Sequence, residues 1–241
     1  MDTQNYIAWR DEKIQELLAK QSYDFSDLCD VVTILRGEGG CPWDREQDHH
    51  SIRKGMIEEC YEVVEAIDTD DASLLREELG DVLLQIVFHA DIEKDVGSFN
   101  INDVANDECV KMIHRHPHVF GQIKVDTSEQ VLVNWEIIKT EEKKRTSLSD
   151  QLKAIPAILP ALMRAQKIAK KTEAFEHQSL EQLLQDTITC FNGLGEEGSQ
   201  EMKQAIMGEA LFRMTAISRR LGIEAEEALT SSISRMIEQT E

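Results

Sequence analysis

Apolar residues recur three and four positions apart along most of the chain, a period that belongs to the α-helix. The spacing predicts helices over about 5–20, 26–36, 51–67, 71–96, 101–114, 128–145, 156–171, 179–192, 199–221 and 224–239. Little interrupts them: prolines stand only at 42, 117, 156 and 160. Thr127 with Gln130, and Ser179 with Gln182, have capping-box spacing, and Asn100 and Asp71 suit N-caps. The expectation is an all-α protein. The strongest apolar run, VLLQIVFHA at 82–90, is too short to cross a bilayer and is broken by Gln85. MDTQNYIAWRDEK at the N-terminus has no apolar signal core.

The polar stretch EEKKRTSLSD at 141–150 is the expected domain boundary, and GLGEEGSQ at 193–200 an inter-helix loop. GDVLLQIVFHA at 80–90 is echoed by GEALFRMTAIS at 208–218, which points to two copies of one helical unit, the second drifted.

Polar positions on the third and fourth predicted helices carry the chemistry. With Glu58 as origin at about 100° per residue, Glu62 falls at about 40°, Glu65 at about 340° and Glu59 at about 100°. The apolar residues of that helix fill about 140° to 300°, so Glu59 borders the apolar face. Taken alone this reads as a solvated acidic face. The next helix is apolar almost all round, and its polar exceptions between 81 and 90 are Asp81, Gln85 and His89, at i, i+4 and i+8. Glu78 lies one turn before Asp81. Carboxylates among core residues are costly unless something neutralises them. Glu59 and Glu62 form one i, i+3 pair, Glu78 and Asp81 another. The short DTDD connection at 68–71 makes the helices antiparallel, which can bring the pairs face to face. A hard divalent cation, Mg²⁺ or Mn²⁺, suits four oxygen ligands. The alternative is that these carboxylates pair with lysines elsewhere in the bundle.

Charge narrows the partners. Lys and Arg number 26 against 46 Asp and Glu, a formal net charge of −20. So acidic a surface repels phosphate backbones and argues against nucleic acid, while leaving room for a small polyanion screened by metal. Cysteines 29, 41, 60, 109 and 190 are odd in number with no C-x-x-C, which reads as reduced thiols and a cytoplasmic protein. Lys111 and Arg115, at i, i+4, could hold a phosphate chain or simply complement a helix C-terminus. His114, His116 and His118 straddle Pro117 with poor spacing for zinc. Trp135 and Lys139, also i, i+4, could offer a base platform and a phosphate contact, or a packing Trp. The GCPWD loop at 40–44 carries no chemistry that its residues alone reveal; Trp43 could anchor a core or stack on a base.

These segments together resemble the MazG family of nucleoside triphosphate pyrophosphohydrolases, in the all-α NTP pyrophosphatase superfamily. The motifs are GCPWD at 40–44, EECYE at 58–62, EELGD at 77–81, LLQIVFHA at 83–90, KMIHRHPHVFG at 111–121 and NWEIIK at 134–139, with PALMRAQKI at 160–168 extending the likeness. The resemblance implies hydrolysis of an NTP to the monophosphate and diphosphate with Mg²⁺ held by Glu59, Glu62, Glu78 and Asp81. It implies phosphate contacts from Lys111 and Arg115, nucleotide contacts from Trp135 and Lys139, and a homodimer of helical bundles. The expected reaction is water attack at the α-phosphorus with Glu58 as proton acceptor, serving nucleotide-pool house-cleaning. The expected organisation is a helical extension over 1–24, a catalytic MazG-like domain over 25–148 and a degenerate second one over 149–241. In the second, Gln185, Asp186 and Thr189 stand for E-E-x-x-E, and Ala205, Ile206 and Glu209 for the acids of EELGD. Gly55 replaces a larger side chain and Asp48 a threonine usual in relatives. The competing reading is a catalytically weak helical scaffold that binds nucleotides or a partner protein.

Overall fold

A computed structural model describes residues 3–142, 147–195 and 197–240. Among these residues there are helices and no strands. The chain divides into two compact units, Met1–Val131 and Leu132–Glu241. Part of the stretch 141–150, expected as the boundary, lies outside the described residues.

The first unit holds α1 (Thr3–Ala19), α2 (Phe25–Arg36), the short α3 (Pro42–Glu46), α4 (His49–Asp68), α5 (Ala72–Val96), α6 (Ile101–Arg115) and the single turn α7 (Pro117–Phe120). Its centre is the antiparallel α4–α5 hairpin, with α2 laid on α5. Val32, Ile52, Val87 and Phe88 form the buried core, with Leu28, Leu84, Ile92 and Ile101 packed around it. The caps explain the boundaries. Asp48 closes a full capping box on α4, accepting from the Ser51 amide at 2.8 Å while Ser51 Oγ accepts from the Asp48 amide at 3.0 Å. Asp71 caps α5 through the Ser73 and Leu74 amides, 2.9 and 3.0 Å. Asp70 takes positive φ in the connection, and Gly97 in the left-handed conformation ends α5. Helix α1 is tied down by Leu17, which is buried, and by Arg10, whose Nη1 donates to the Glu38 carbonyl at 2.7 Å. The Tyr6 ring lies so close to Gly37 that any Cβ there would collide with it. Close to Tyr6 and Gly37 the buried side chain of Arg36 meets Asp91 at 2.5 Å and Asp95 at 2.9 Å.

Helix α8 (Ser128–Glu142) runs across the boundary into the second unit, which continues with α9 (Leu148–Lys153), α10 (Ala161–Thr172), α11 (Leu180–Asn192), a 3₁₀ turn at Gly193–Gly195, α12 (Gln200–Arg220) and α13 (Ala225–Glu238). Here α12 packs on α10 and α11 over Ala169, Leu183 and Ala216, bordered by Phe175 and Phe212. The buried Gln166 amide donates to the Ile223 carbonyl at 2.8 Å and accepts from the Ala225 amide at 2.9 Å, which fixes α13 against α10. The helix expected over 156–171 begins only at Ala161. Pro160 bars the residue before it from helical geometry, so the preceding segment forms turns instead.

Candidate active site

The connection at 68–71 folds α5 back along α4 and sets Glu59 against Glu78 and Asp81. One oxygen from each of these three carboxylates lies within 4.8 Å of the others. Glu78 is buried although it carries a carboxylate, while Glu59 and Asp81 are half-buried. Glu62, one turn on from Glu59, is solvent-facing and lies outside that group, near enough for its charge to act on both Glu59 and Glu78. The electrostatics follow. Burial, and then Glu62 and the charges of Asp81 and Glu78, push Glu59 above the ordinary carboxylate range. Burial, then Glu62, Asp81 and Glu77, push Glu78 up likewise. The charges that act most on either residue are negative. Of the four acids predicted as metal ligands, Glu59, Glu78 and Asp81 form the cluster, and Glu62 stands outside it. An all-carboxylate donor set of this kind fits a hard divalent cation.

The remaining predicted site residues stand as follows. Glu58 lies outside the group of three; it is exposed and bonded to Lys54 at 2.6 Å, one turn away on α4. Lys111 pairs with Glu108 on α6, and Arg115, at the C-terminus of that helix, is buried. Trp135 and Lys139 share a face of α8 as their spacing predicts, with the ammonium 4.2 Å from the ring centroid.

The stripe that begins at Glu78 and Asp81 continues along α5. Gln85 faces Gly55 of α4: a Cβ on Gly55 would stand 3.0 Å from the Gln85 amide nitrogen, and the Gln85 carbonyl oxygen is buried with no partner among the described residues. One turn further, His89 Nδ1 meets His49 Nδ1 at 2.7 Å, and His49 Nε2 meets Glu93 at 2.7 Å. Sequence reasoning found Gln85 and His89 as polar exceptions on an apolar helix. It missed His49, which is 40 positions from His89 and whose only signal is its place at the first turn of α4.

In the second unit α11 packs on α12. The acids left there are satisfied locally. Asp186 accepts from the side-chain amides of Gln182 at 2.7 Å and Gln178 at 3.1 Å, and Glu209 pairs with Arg213 at 2.9 Å. Among the described residues the group around Glu59 is the one acidic cluster of metal-binding geometry.

Comparison with known proteins agrees with this geometry. The model of the MazG nucleotide pyrophosphohydrolase domain matches residues 47–120, the span of α4 to α7. A nucleoside triphosphate pyrophosphohydrolase of Escherichia coli is 39% identical over 214 residues, 84% of this chain and 80% of the relative. The nucleoside triphosphate pyrophosphohydrolase/pyrophosphatase MazG of Thermotoga maritima is 36% identical over 217 residues, 89% of this chain and 83% of the relative. The uncharacterized protein YabN of Bacillus subtilis is 42% identical over 214 residues, and there the chain spans only 44% of the relative's length. With the acidic pairs of the hairpin inside the matched region and the likeness running through both units, the chain belongs to the MazG family.

Proposed function

We propose that this protein hydrolyses nucleoside triphosphates to the monophosphate and diphosphate in the cytoplasm, clearing unwanted nucleotides from the pool. The observation that carries this reading is the gathering of Glu59, Glu78 and Asp81 within 4.8 Å of one another, with Glu62 one turn on from Glu59 on the same helix. The names of the Escherichia coli and Thermotoga maritima relatives support the reaction class.

Glu59, Glu62, Glu78 and Asp81 would hold Mg²⁺, or Mn²⁺ in its place. Held there, such an ion would supply positive charge to screen the phosphates and to make an attacking water more acidic. Glu58 lies one residue from the ligands and accepts the proton once Lys54 releases it. Lys111 and Arg115 stabilise the charge that grows on the diphosphate. Trp135 and Lys139 are the proposed nucleotide contacts. The second unit, where Asp186 already accepts from two side-chain amides and Glu209 is paired with Arg213, holds no metal in this reading.

Diphosphate release from a panel of NTPs, with and without Mg²⁺, tests this. Wild type should depend on the metal. Glu62→Ala and Asp81→Ala should each lose at least 100-fold while keeping the helical circular dichroism of the parent, and Glu58→Gln should lower kcat more than it raises KM. Near-normal turnover in Glu62→Ala or Asp81→Ala would refute the metal assignment. Nucleotide binding without release in wild type would favour the scaffold reading.

A further inference from the structure

Cations are scarce in this chain, 26 against 46 acids, yet several of them converge on one cleft of the second unit. The cleft has a volume of about 380 Å³, within the range of small-ligand sites. Lys167, Lys170 and Lys171 of α10 line one side and Lys139 of α8 another, with Glu136 the one acid among the lining residues. Glu136 stands 3.9 Å from Lys139, so it is already engaged. Lys167, Lys170 and Lys171 are exposed, and among the described residues none of them has an ion-pair partner. Lys167 and Lys170 are i, i+3, and Lys167 and Lys171 i, i+4, so on the helix these charges repel one another. With 46 acids available, an arrangement that leaves three neighbouring lysines unneutralised around a hollow calls for a ligand that brings negative charge.

Complementing the last turn of α10 would account for Lys170 and Lys171 alone. It does not account for Lys167, a turn earlier, nor for the apolar part of the lining, where Ile155 is buried and Pro156 and Leu159 also border the cleft. The lining thus combines ammonium groups with a surface for a flat or aliphatic moiety. Lys167 lies in the PALMRAQKI motif at 160–168, for which the metal site has no use.

We propose that Lys167, Lys170 and Lys171, with the apolar residues of the same cleft, form a second, non-catalytic site that binds an oligophosphate group, carried by a nucleoside polyphosphate or by free diphosphate; Lys139 is left to the nucleotide contact proposed above. The site needs no metal, because the lysines themselves supply the positive charge, and it stands whether or not the first unit is a hydrolase. Calorimetric titration of the full chain in EDTA, first with diphosphate and then with a non-hydrolysable NTP analogue, tests it. At least one of the two should bind. The combined variant Lys167→Gln/Lys170→Gln/Lys171→Gln should weaken that binding at least tenfold. Glu62→Ala should leave it unchanged, which separates it from the metal site. Lys203→Gln/Arg235→Gln, which removes charge elsewhere in the same unit, should also leave it within twofold. Tighter binding of the analogue identifies the apolar lining as a base contact, and equal binding identifies diphosphate as sufficient; both support the site. Binding of neither compound, or binding indifferent to the three lysines, would overturn it.

Discussion

Glu78 is the residue where fold and function are most opposed. It is buried, surrounded by three other acids, and its carboxyl is held above its ordinary range by burial first and by Glu62 and Asp81 after that. A carboxyl whose folded pKa exceeds its unfolded value contributes stability that is present at low pH and lost as pH climbs through the folded value. At neutral pH, with no cation bound, its charge therefore works against folding. Glu78→Gln keeps the shape and removes the charge. The expected result is a metal-free Tm at neutral pH equal to or above that of wild type, together with loss of most of the Tm increase that Mg²⁺ gives wild type. Thermal melts with EDTA and with saturating Mg²⁺ measure both; a variant that melts lower without metal and still responds fully to Mg²⁺ would show that Glu78 is not a ligand. The closeness of Glu59, Glu78 and Asp81 was legible in the sequence, because acids spaced i, i+3 lie on both helices and the second pair stands on an otherwise apolar helix. The role of Asp48 was not legible. It is conspicuous in sequence as a replacement for threonine, but its work is local: its side chain caps α4 and so fixes where the acidic helix starts.

At the scale of the element, the α4–α5 hairpin is more than a carrier of four acids. Its polar stripe runs on through Gln85 to His89, His49 and Glu93, and ties the start of α4 to the later turns of α5. With Glu93 accepting from His49 Nε2, the neutral His49 ring is left with Nδ1 as the acceptor for His89 Nδ1–H. Burial first, then the facing His49, hold His89 below its ordinary pKa. The sign follows from the depressed value. Stability is full above the unfolded histidine pKa of about 6.5 and is lost as pH falls below it, because the unfolded chain binds the proton more readily. Metal-free Tm should therefore drop between about pH 7 and pH 5.5, and His89→Phe should flatten that part of the curve; an equally steep curve in the variant would place the titration elsewhere. Helix existence was well predicted by periodicity, and ends were not, for reasons visible in particular residues. Pro160 cut the front off α10. Ser179 does cap α11, but the Gln182 side chain turns forward to Asp186 instead of closing the box. Gln130 likewise reaches the Asp126 amide and not that of Thr127. Spacing shows which residues can cap; which partner wins depends on charges and amides that only the folded chain brings within reach.

For the whole molecule the governing quantity is a formal charge of −20. Beside the acidic cluster the hairpin presents an exposed apolar face, with Ile57, Tyr61, Val64 and Ile67 on α4 and Leu79 and Leu83 on α5. A face of this kind is costly in water, and a second copy of the chain, as the family resemblance implies, would cover it. Dimerisation then sets apolar burial against the repulsion of two strongly acidic bodies. Burial is nearly indifferent to moderate salt, whereas repulsion between exposed charges is screened over about 8–10 Å near physiological ionic strength. Raising NaCl should therefore tighten the dimer. The lysine cleft of the second unit should respond in the opposite sense, since salt screens its attraction for an oligophosphate. One salt series, read by light scattering for mass and by calorimetry for diphosphate, examines both. Mass should rise towards twice that of the single chain as salt increases, while diphosphate affinity falls. Val64→Glu, which puts a charge in the apolar face, should hold the chain at 27.5 kDa at every salt concentration and leave diphosphate binding intact. A mass that falls with salt would mean that ion pairs, not the hairpin's apolar face, join the copies. An unaltered dimer in Val64→Glu would move the interface off α4.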